Sequence, residues 1–266
     1  MDNTANLNSP EQKKRWFMKE FLPDGLPTRL HKFTSINLNL HKSLKEAYLW
    51  HSRPSILNDP FDCYHKLLTY EPTESDIIDF CTRNFKKGEL PLVLQIERLL
   101  KNPQKLVEAQ QSSLEDNING QGICCFAENY TNTLMWSHYA ANHTGICLVF
   151  KPHLDTSLFV VKVQYKDEFV PQNYYGEHRK GVLSMLSTKS NDWKYEQEYR
   201  SISKPGPNPF NKAMLSEVIF GCRATQDDAY AVITTIENSG YKDVIYTRAY
   251  MEDNSFKLGF KPFISF

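Results

Sequence analysis

The 266-residue sequence contains no G-x-G-x-x-G, no Walker loop, no G-x-S-x-G and no H-E-x-x-H. Those absences remove the commonest signatures of dinucleotide binding, P-loop hydrolysis, serine hydrolysis and zinc proteolysis. No apolar run approaches the length of a membrane span, and the opening MDNTANLNSPEQKKRW lacks the basic-then-apolar layout of a secretory signal. Nor is there a net charge: 31 Lys and Arg are balanced by 31 Asp and Glu. That balance argues against a dedicated nucleic-acid or membrane-surface binder, while leaving room for a local basic groove.

The six cysteines (Cys63, Cys81, Cys124, Cys125, Cys147 and Cys222) include no C-x-x-C pair. They read as reduced thiols of a cytoplasmic protein, with Cys124 and Cys147 as small buried hydrophobes inside apolar runs. The eight histidines lack ligand spacing. His138 and His143 are five apart, on different faces of a helix, whereas a helical zinc pair needs three or four. No metal is expected.

Hydrophobic residues make up 41% of the chain and aromatics 13%, enough for a substantial core. Residues 1–27 read as a polar, amphipathic extension and 28–266 as a single α+β domain. TRLHKFTSI alternates as a strand, and NLHKSLKEAYLWHS reads as a helix running into an extended piece. Residues 72–119 are helical in pattern, opened by a capping Thr73-x-x-Asp76. From Gly120 onward short apolar strands dominate, separated by helices in TNTLMWSHYAAN, YGEHRKGVLSMLST and TQDDAYAVITTIENSG. The close strand spacing predicts a mixed, largely antiparallel sheet with flanking helices and an inserted helical layer at about 72–119.

Three segments carry candidate chemistry. NDWKYEQEYRSI, residues 191–202, read as a strand places Lys194, Glu196, Glu198 and Arg200 on one face. Such a face is either solvated or the floor of a polar site. LMWSHYAANHTG, residues 134–145, read as a helix puts Trp136, Tyr139 and His143 on one face with His138 and Asn142 beside them. It is either an aromatic core helix or a pocket wall. LNDPFD, residues 57–62, brings Asn58, Asp59 and Asp62 to a turn, as loop-closing hydrogen bonders or as groups addressing a ribose or a basic side chain.

The segments LHKFTS, LWHSRPSILNDPFD, GICCFAENYTNTLMWSHYAANHTGICLVF, STKSNDWKYEQEYRSI and EVIFGCR occur in an order that resembles the bacterial family catalogued as domain of unknown function 2971, over about residues 28–235. Here Cys125–Ala127 (CFA) replaces that family's usual SFS strand. The chain is also similar to ADP-ribosyltransferases in the order of three elements: His31 on an early strand, Trp136 or Tyr139 in the middle, and Glu196-Gln197-Glu198 late.

That second resemblance implies a cytoplasmic bacterial enzyme acting on NAD or a related nucleotide, with a protein or nucleic acid as acceptor, in the manner of a toxin or anti-phage defence effector. Glu198 would stabilise the ribose, Glu196 would orient or deprotonate the acceptor, Arg200 would bind a pyrophosphate oxygen and Trp136 would stack on a ring. His31 would join the glutamates in catalysis, and His138, Tyr139, His143, Asn58 and Asp59 would hold the substrate. Two alternatives stand beside it: a non-catalytic ligand- or nucleic-acid-binding module, and a Mg²⁺-dependent nuclease using Asp59, Glu196, Glu198 and Lys194.

Overall fold

A computed structural model describes residues 9–64, 67–84, 91–175 and 178–263. The first eight residues of the expected extension, and part of the YGEHRKGVLSMLST segment, lie outside the described residues. Eight strands form the main sheet: β1 (Leu30–Thr34), β2 (Gly122–Ala127), β3 (Ile146–Phe150), β4 (Val160–Lys162), β5 (Glu198–Ser203), β6 (Leu215–Phe220), β7 (Ile245–Met251) and β8 (Leu258–Pro262). Their order is β8-β7-β6-β3-β1-β2-β5-β4. Only β6 and β7 pair in parallel, and every other neighbour is antiparallel. This is the mixed, largely antiparallel sheet that the strand spacing predicts.

Helices flank it. A leading helix α1 (Pro10–Phe21) is capped by Ser9, and α2 (Leu38–Glu46) by Asn37, whose side chain accepts from the Leu40 N–H. Then come α3 (Glu74–Asn84), α4 (Leu92–Lys101) and α5 (Gln104–Asn119), which form the expected inserted layer and pack around Ile77, Cys81 and Leu106. The last three are α6 (Thr133–Tyr139), α7 (His178–Leu186) and α8 (Gln226–Asn238).

Strand alternation divides the core into two faces. Leu30, Phe126, Leu148, Phe150, Val218 and Phe220 pack with Leu40 and Leu44 of α2 and with Val232 and Ile236 of α8. On the other face, Phe33, Ala127, Cys147, Val149 and Ile219 pack under Met135, Trp136 and Ala140 of the α6 segment. Leu22, just after α1, joins the first of these cores, with Phe17 and Met18 packed against it.

The sheet is split in its middle. β1 pairs with β3 over five residues but meets β2 at one Cα pair, His31 with Ala127. Further along β2, Ser52 takes β1's place: Ser52 and Ile123 exchange backbone hydrogen bonds of 2.8 Å each. The two halves of the sheet therefore part just beyond His31.

Two sequence readings need correction. NDWKYEQEYRSI is not one strand. Ser190 caps a 3₁₀ turn over Asn191–Glu196, Gln197 takes a left-handed φ of 45°, and the strand begins only at Glu198. LMWSHYAANHTG is helical only to Tyr139. Ala141, Asn142 and His143 follow with φ of 47°, 53° and 71°, so His143 leaves the helix and its face. Trp136 N–H to the Tyr130 carbonyl, and His143 N–H to the Trp136 carbonyl at 3.1 Å, fasten this turn.

The turn closes on Gly145, where a Cβ would lie 2.3 Å from the Thr34 carbonyl oxygen and 2.9 Å from that of Ala140. Both obstacles are backbone and cannot swing away. Gly145→Ala should destabilise the fold by about 1–3 kcal/mol, the usual range for overpacking. A urea unfolding midpoint unchanged from wild type would refute this.

Candidate functional site

The split places three residues in one row. His31 is in register with Ala127, and Ala127 with Glu198, so all three side chains stand on the α6 face of the sheet. Ala127 in the centre is small and leaves open the space between the imidazole and the carboxylate. A cavity of about 110 Å³ occupies this place, lined by His31, Lys32, Ala127, Tyr139, Lys189, Glu196 and Glu198 among others. Drug-sized ligands fill pockets of about 300–1,000 Å³, so this space admits one end of a larger molecule.

Beneath it lies a buried ion cluster. The Arg200 guanidinium is fully buried and forms a two-pronged pair with Asp62, NH1 to Oδ1 at 2.7 Å and NH2 to Oδ2 at 2.6 Å. It also donates to Glu198 through Nε at 2.8 Å and NH2 at 3.1 Å, and to the Leu186 carbonyl at 2.8 Å. Lys189 Nζ lies 2.6 Å from Glu196 Oε2, 3.3 Å from Glu198 Oε2 and 3.9 Å from Asp62 Oδ2. Tyr139 Oη donates to the other oxygen of Glu196, and Asn58 donates to Tyr139 Oη at 3.2 Å.

These contacts push the two glutamates apart. Burial raises the Glu198 carboxyl, but Arg200 and Lys189 outweigh it and hold the pKa at about 2. Burial also raises Glu196; there Lys189 and the Tyr139 hydroxyl only partly offset it, and the pKa stays above the ordinary value. His31 is depressed, first by burial and further by Arg29, so its ring is neutral near pH 7. Its Nδ1 lies 3.2 Å from the Ala127 carbonyl, which makes Nδ1 the protonated nitrogen, while the buried Nε2 has no partner.

Of the residues singled out from sequence, His31, Asn58, Tyr139, Glu196 and Glu198 converge on this cavity. The α6 helix reaches the glutamates through Tyr139, whose hydroxyl donates to Glu196. Arg200 is not a phosphate ligand: it is 0% exposed and committed to Asp62, Glu198 and a carbonyl. Trp136, also 0% exposed, packs edge-on against Phe33 in the core and has no face free for a ligand ring.

Asp59 closes its own loop, accepting from the Phe61 N–H at 2.9 Å, and lines a neighbouring cavity instead. His143 sits in the left-handed turn, and His138 stands outside the cavity, exposed beside Tyr139 and Tyr195. The Mg²⁺ arrangement is not assembled either. Glu196 and Glu198 turn to Lys189, Lys194 is exposed, and no metal-holding group of three or more His, Cys, Asp or Glu occurs among the described residues.

One member of the site escaped the sequence reading, Lys189, which sat unremarked in STKS; Asp62 takes the second of its two readings and addresses a basic side chain, Arg200. Only the third dimension pairs them, across 138 positions for Asp62 with Arg200 and nine for Lys189 with Glu198.

No family model matches the chain, and no curated protein does. One solved structure aligns with it. DarT of Thermus sp. 2.9, in complex with ADP-ribosylated ssDNA, is 12% identical, with 82% of this chain and 93% of its own covered, at a TM-score of 0.34. A likeness of that size assigns neither fold nor chemistry, and the resemblances read from the quoted segments gain nothing from it.

A carboxyl with a depressed folded-state pKa stabilises the fold above its unfolded value and loses that contribution as pH falls towards the folded one. For Glu198 the loss runs from the ordinary 4.5 down to about 2. Glu196, shifted upwards, has the opposite sign and acts above 4.5, outside this window. Stability should therefore fall more steeply with acid below 4.5 in wild type than in Glu198→Gln. Parallel urea titrations across that interval would check it, and equal slopes would contradict the assignment.

Proposed function

We propose that this chain is an ADP-ribosyltransferase-like enzyme that breaks the nicotinamide–ribose bond of NAD or a related nucleotide. One observation carries the reading. A neutral histidine and a carboxylate held ionised by two cations face each other over an alanine, at the point where the sheet splits. In the reaction, the C1′–N bond breaks with its electron pair leaving on nicotinamide, and positive charge develops on the ribose. Glu198 supplies a fixed negative charge against that cation, oriented before the reaction begins.

His31 accepts a sugar hydroxyl at its unpartnered Nε2. An acceptor oxygen then attacks C1′ and gives its proton to Glu196. A carboxylate whose proton affinity is raised above the ordinary is the better base of the two. Tyr139 and Asn58 orient Glu196 from the α6 side, and the tyrosine ring forms part of the wall. The six free cysteines are consistent with a reducing, cytoplasmic setting. The acceptor, whether protein or nucleic acid, is met outside this small cavity.

The purified protein should release nicotinamide from NAD in the presence of chelator. Glu198→Gln should lower that rate by about 10²-fold or more, the usual loss when a transition-state electrostatic partner is removed. Glu196→Gln should lower transfer to an acceptor more than simple hydrolysis. Circular dichroism of both variants guards against loss of fold. Failure of wild type to release nicotinamide, or folded variants with undiminished rates, would sink the proposal.

A further inference from the structure

Once Arg200 is committed to Asp62 and Glu198, the cavity needs another cation if it is to receive a phosphorylated ligand. Lys32 is the residue next to His31, in register with Leu148 and hence pointing to the opposite face of β1. Because β2 has already parted from β1 there, no strand seals its flank. The ammonium reaches into the split, where Nζ lies 3.5 Å from the Cys125 carbonyl and 5.8 Å from the centre of the Phe126 ring. Lys32, Cys125 and Phe126 line the same cavity as His31.

The contrast with Lys189 is informative. Lys189 has three carboxylates within 4.0 Å, whereas among the described residues Lys32 has none. An ammonium carries three N–H donors, and this one has only a long bond to the Cys125 carbonyl and the weak acceptor of the Cys124 thiol. Nor is a carboxylate free to swing towards it: Asp62 and Glu198 are held by Arg200, and Glu196 by Lys189. Beside it, the His31 ring is 5% exposed, with Nε2 unpartnered. The cavity thus offers one acceptor lone pair and one under-filled cation.

We propose that Lys32 is an anion-binding residue of this cavity, taking a phosphate oxygen of a nucleotide whose sugar hydroxyl bonds to His31. The proposal rests on the nucleotide reading above and deepens it, assigning to Lys32 the phosphate contact that Arg200 cannot make. A structural role is the competing account, in which Lys32 merely satisfies the Cys125 carbonyl at the split. That account predicts a loss of stability without any preference between ligands.

Binding of NAD and of nicotinamide riboside, which has no phosphate, should be measured by calorimetry for wild type, Lys32→Gln and Lys32→Arg. Lys32→Gln should weaken NAD at least tenfold, leave nicotinamide riboside within about twofold, and make NAD binding less salt-dependent. Lys32→Arg, which keeps the charge and is the safer fold, should restore most of the NAD affinity. Equal losses for both ligands, or no loss for NAD, would overturn the assignment. Nicotinamide release by wild type with unaltered NAD affinity in Lys32→Gln would sink this proposal alone. A Lys32-dependent preference for NAD without any nicotinamide release would sink the enzyme reading alone. A wild type that binds neither ligand would overturn both.

Discussion

The buried pairing of Arg200 with Asp62 and Glu198 is the constraint on which the site depends. A guanidinium removed from water is tolerated only if its donors are matched, and unmatching one by removing a partner typically costs about 3–5 kcal/mol. Matching it here joins three distant parts of the chain: the loop before α3, the end of α7 and the first residues of β5. Asp62 therefore anchors a loop that is otherwise held by turn chemistry and by the packing of Leu57, Cys63 and Tyr64, and Asn58 of that loop reaches Tyr139. Replacing the cluster with apolar residues would preserve volume but abolish the ionised Glu198. The charge is there at a desolvation cost that a purely structural core does not require.

The split sheet supplies the other half of the arrangement. In an unbroken antiparallel pair, β2 would run beside Lys32, Phe33 and Thr34 and seal the flank of β1 beyond His31. The Ser52–Ile123 bridge diverts β2, so the row His31–Ala127–Glu198 lies at the fork, its floor kept open by a methyl group. The α6 segment covers the fork from one side. Its left-handed exit through Ala141–His143 is admitted by glycines at 145 and 221, where any Cβ would meet backbone within 2.3 Å.

Much of this was legible in sequence, and the boundary follows physical range. Local periodicity and turn chemistry located the helical layer, the short strands and the turn at LNDPFD, because each depends on neighbours a few positions away. They also singled out Tyr139, Glu196 and Glu198, to which the resemblance in element order added His31. What period-two alternation could not disclose is that Gln197 breaks it, since a left-handed non-glycine residue has no strong local signature. Trp136 and Arg200 were misread for a different reason. A large aromatic and a charge look equally suited to a ligand or to the interior, and only the partners at long range decide between them. Lys189 stayed hidden, and the basic partner of Asp62 unnamed, because both gain their meaning here from partners that only the fold brings near.

The break at Gln197 is also what makes two neighbouring glutamates different. On a continuous strand Glu196 and Glu198 would share a face with Cα atoms roughly 6.5–7 Å apart and nearly the same surroundings. The 3₁₀ turn detaches Glu196 from the ladder and delivers it to Tyr139 and Lys189, while Glu198, first residue of β5, stays in the row beside Arg200. One carboxyl thus keeps a guanidinium, and the other must share an ammonium and lean on a neutral hydroxyl. Coulomb attraction exceeds desolvation for the first and falls short of it for the second, so their proton affinities move in opposite directions. Two residues of one type, separated by a single position in the sequence, thus acquire opposite shifts in proton affinity where the 3₁₀ turn and Gln197 break the strand.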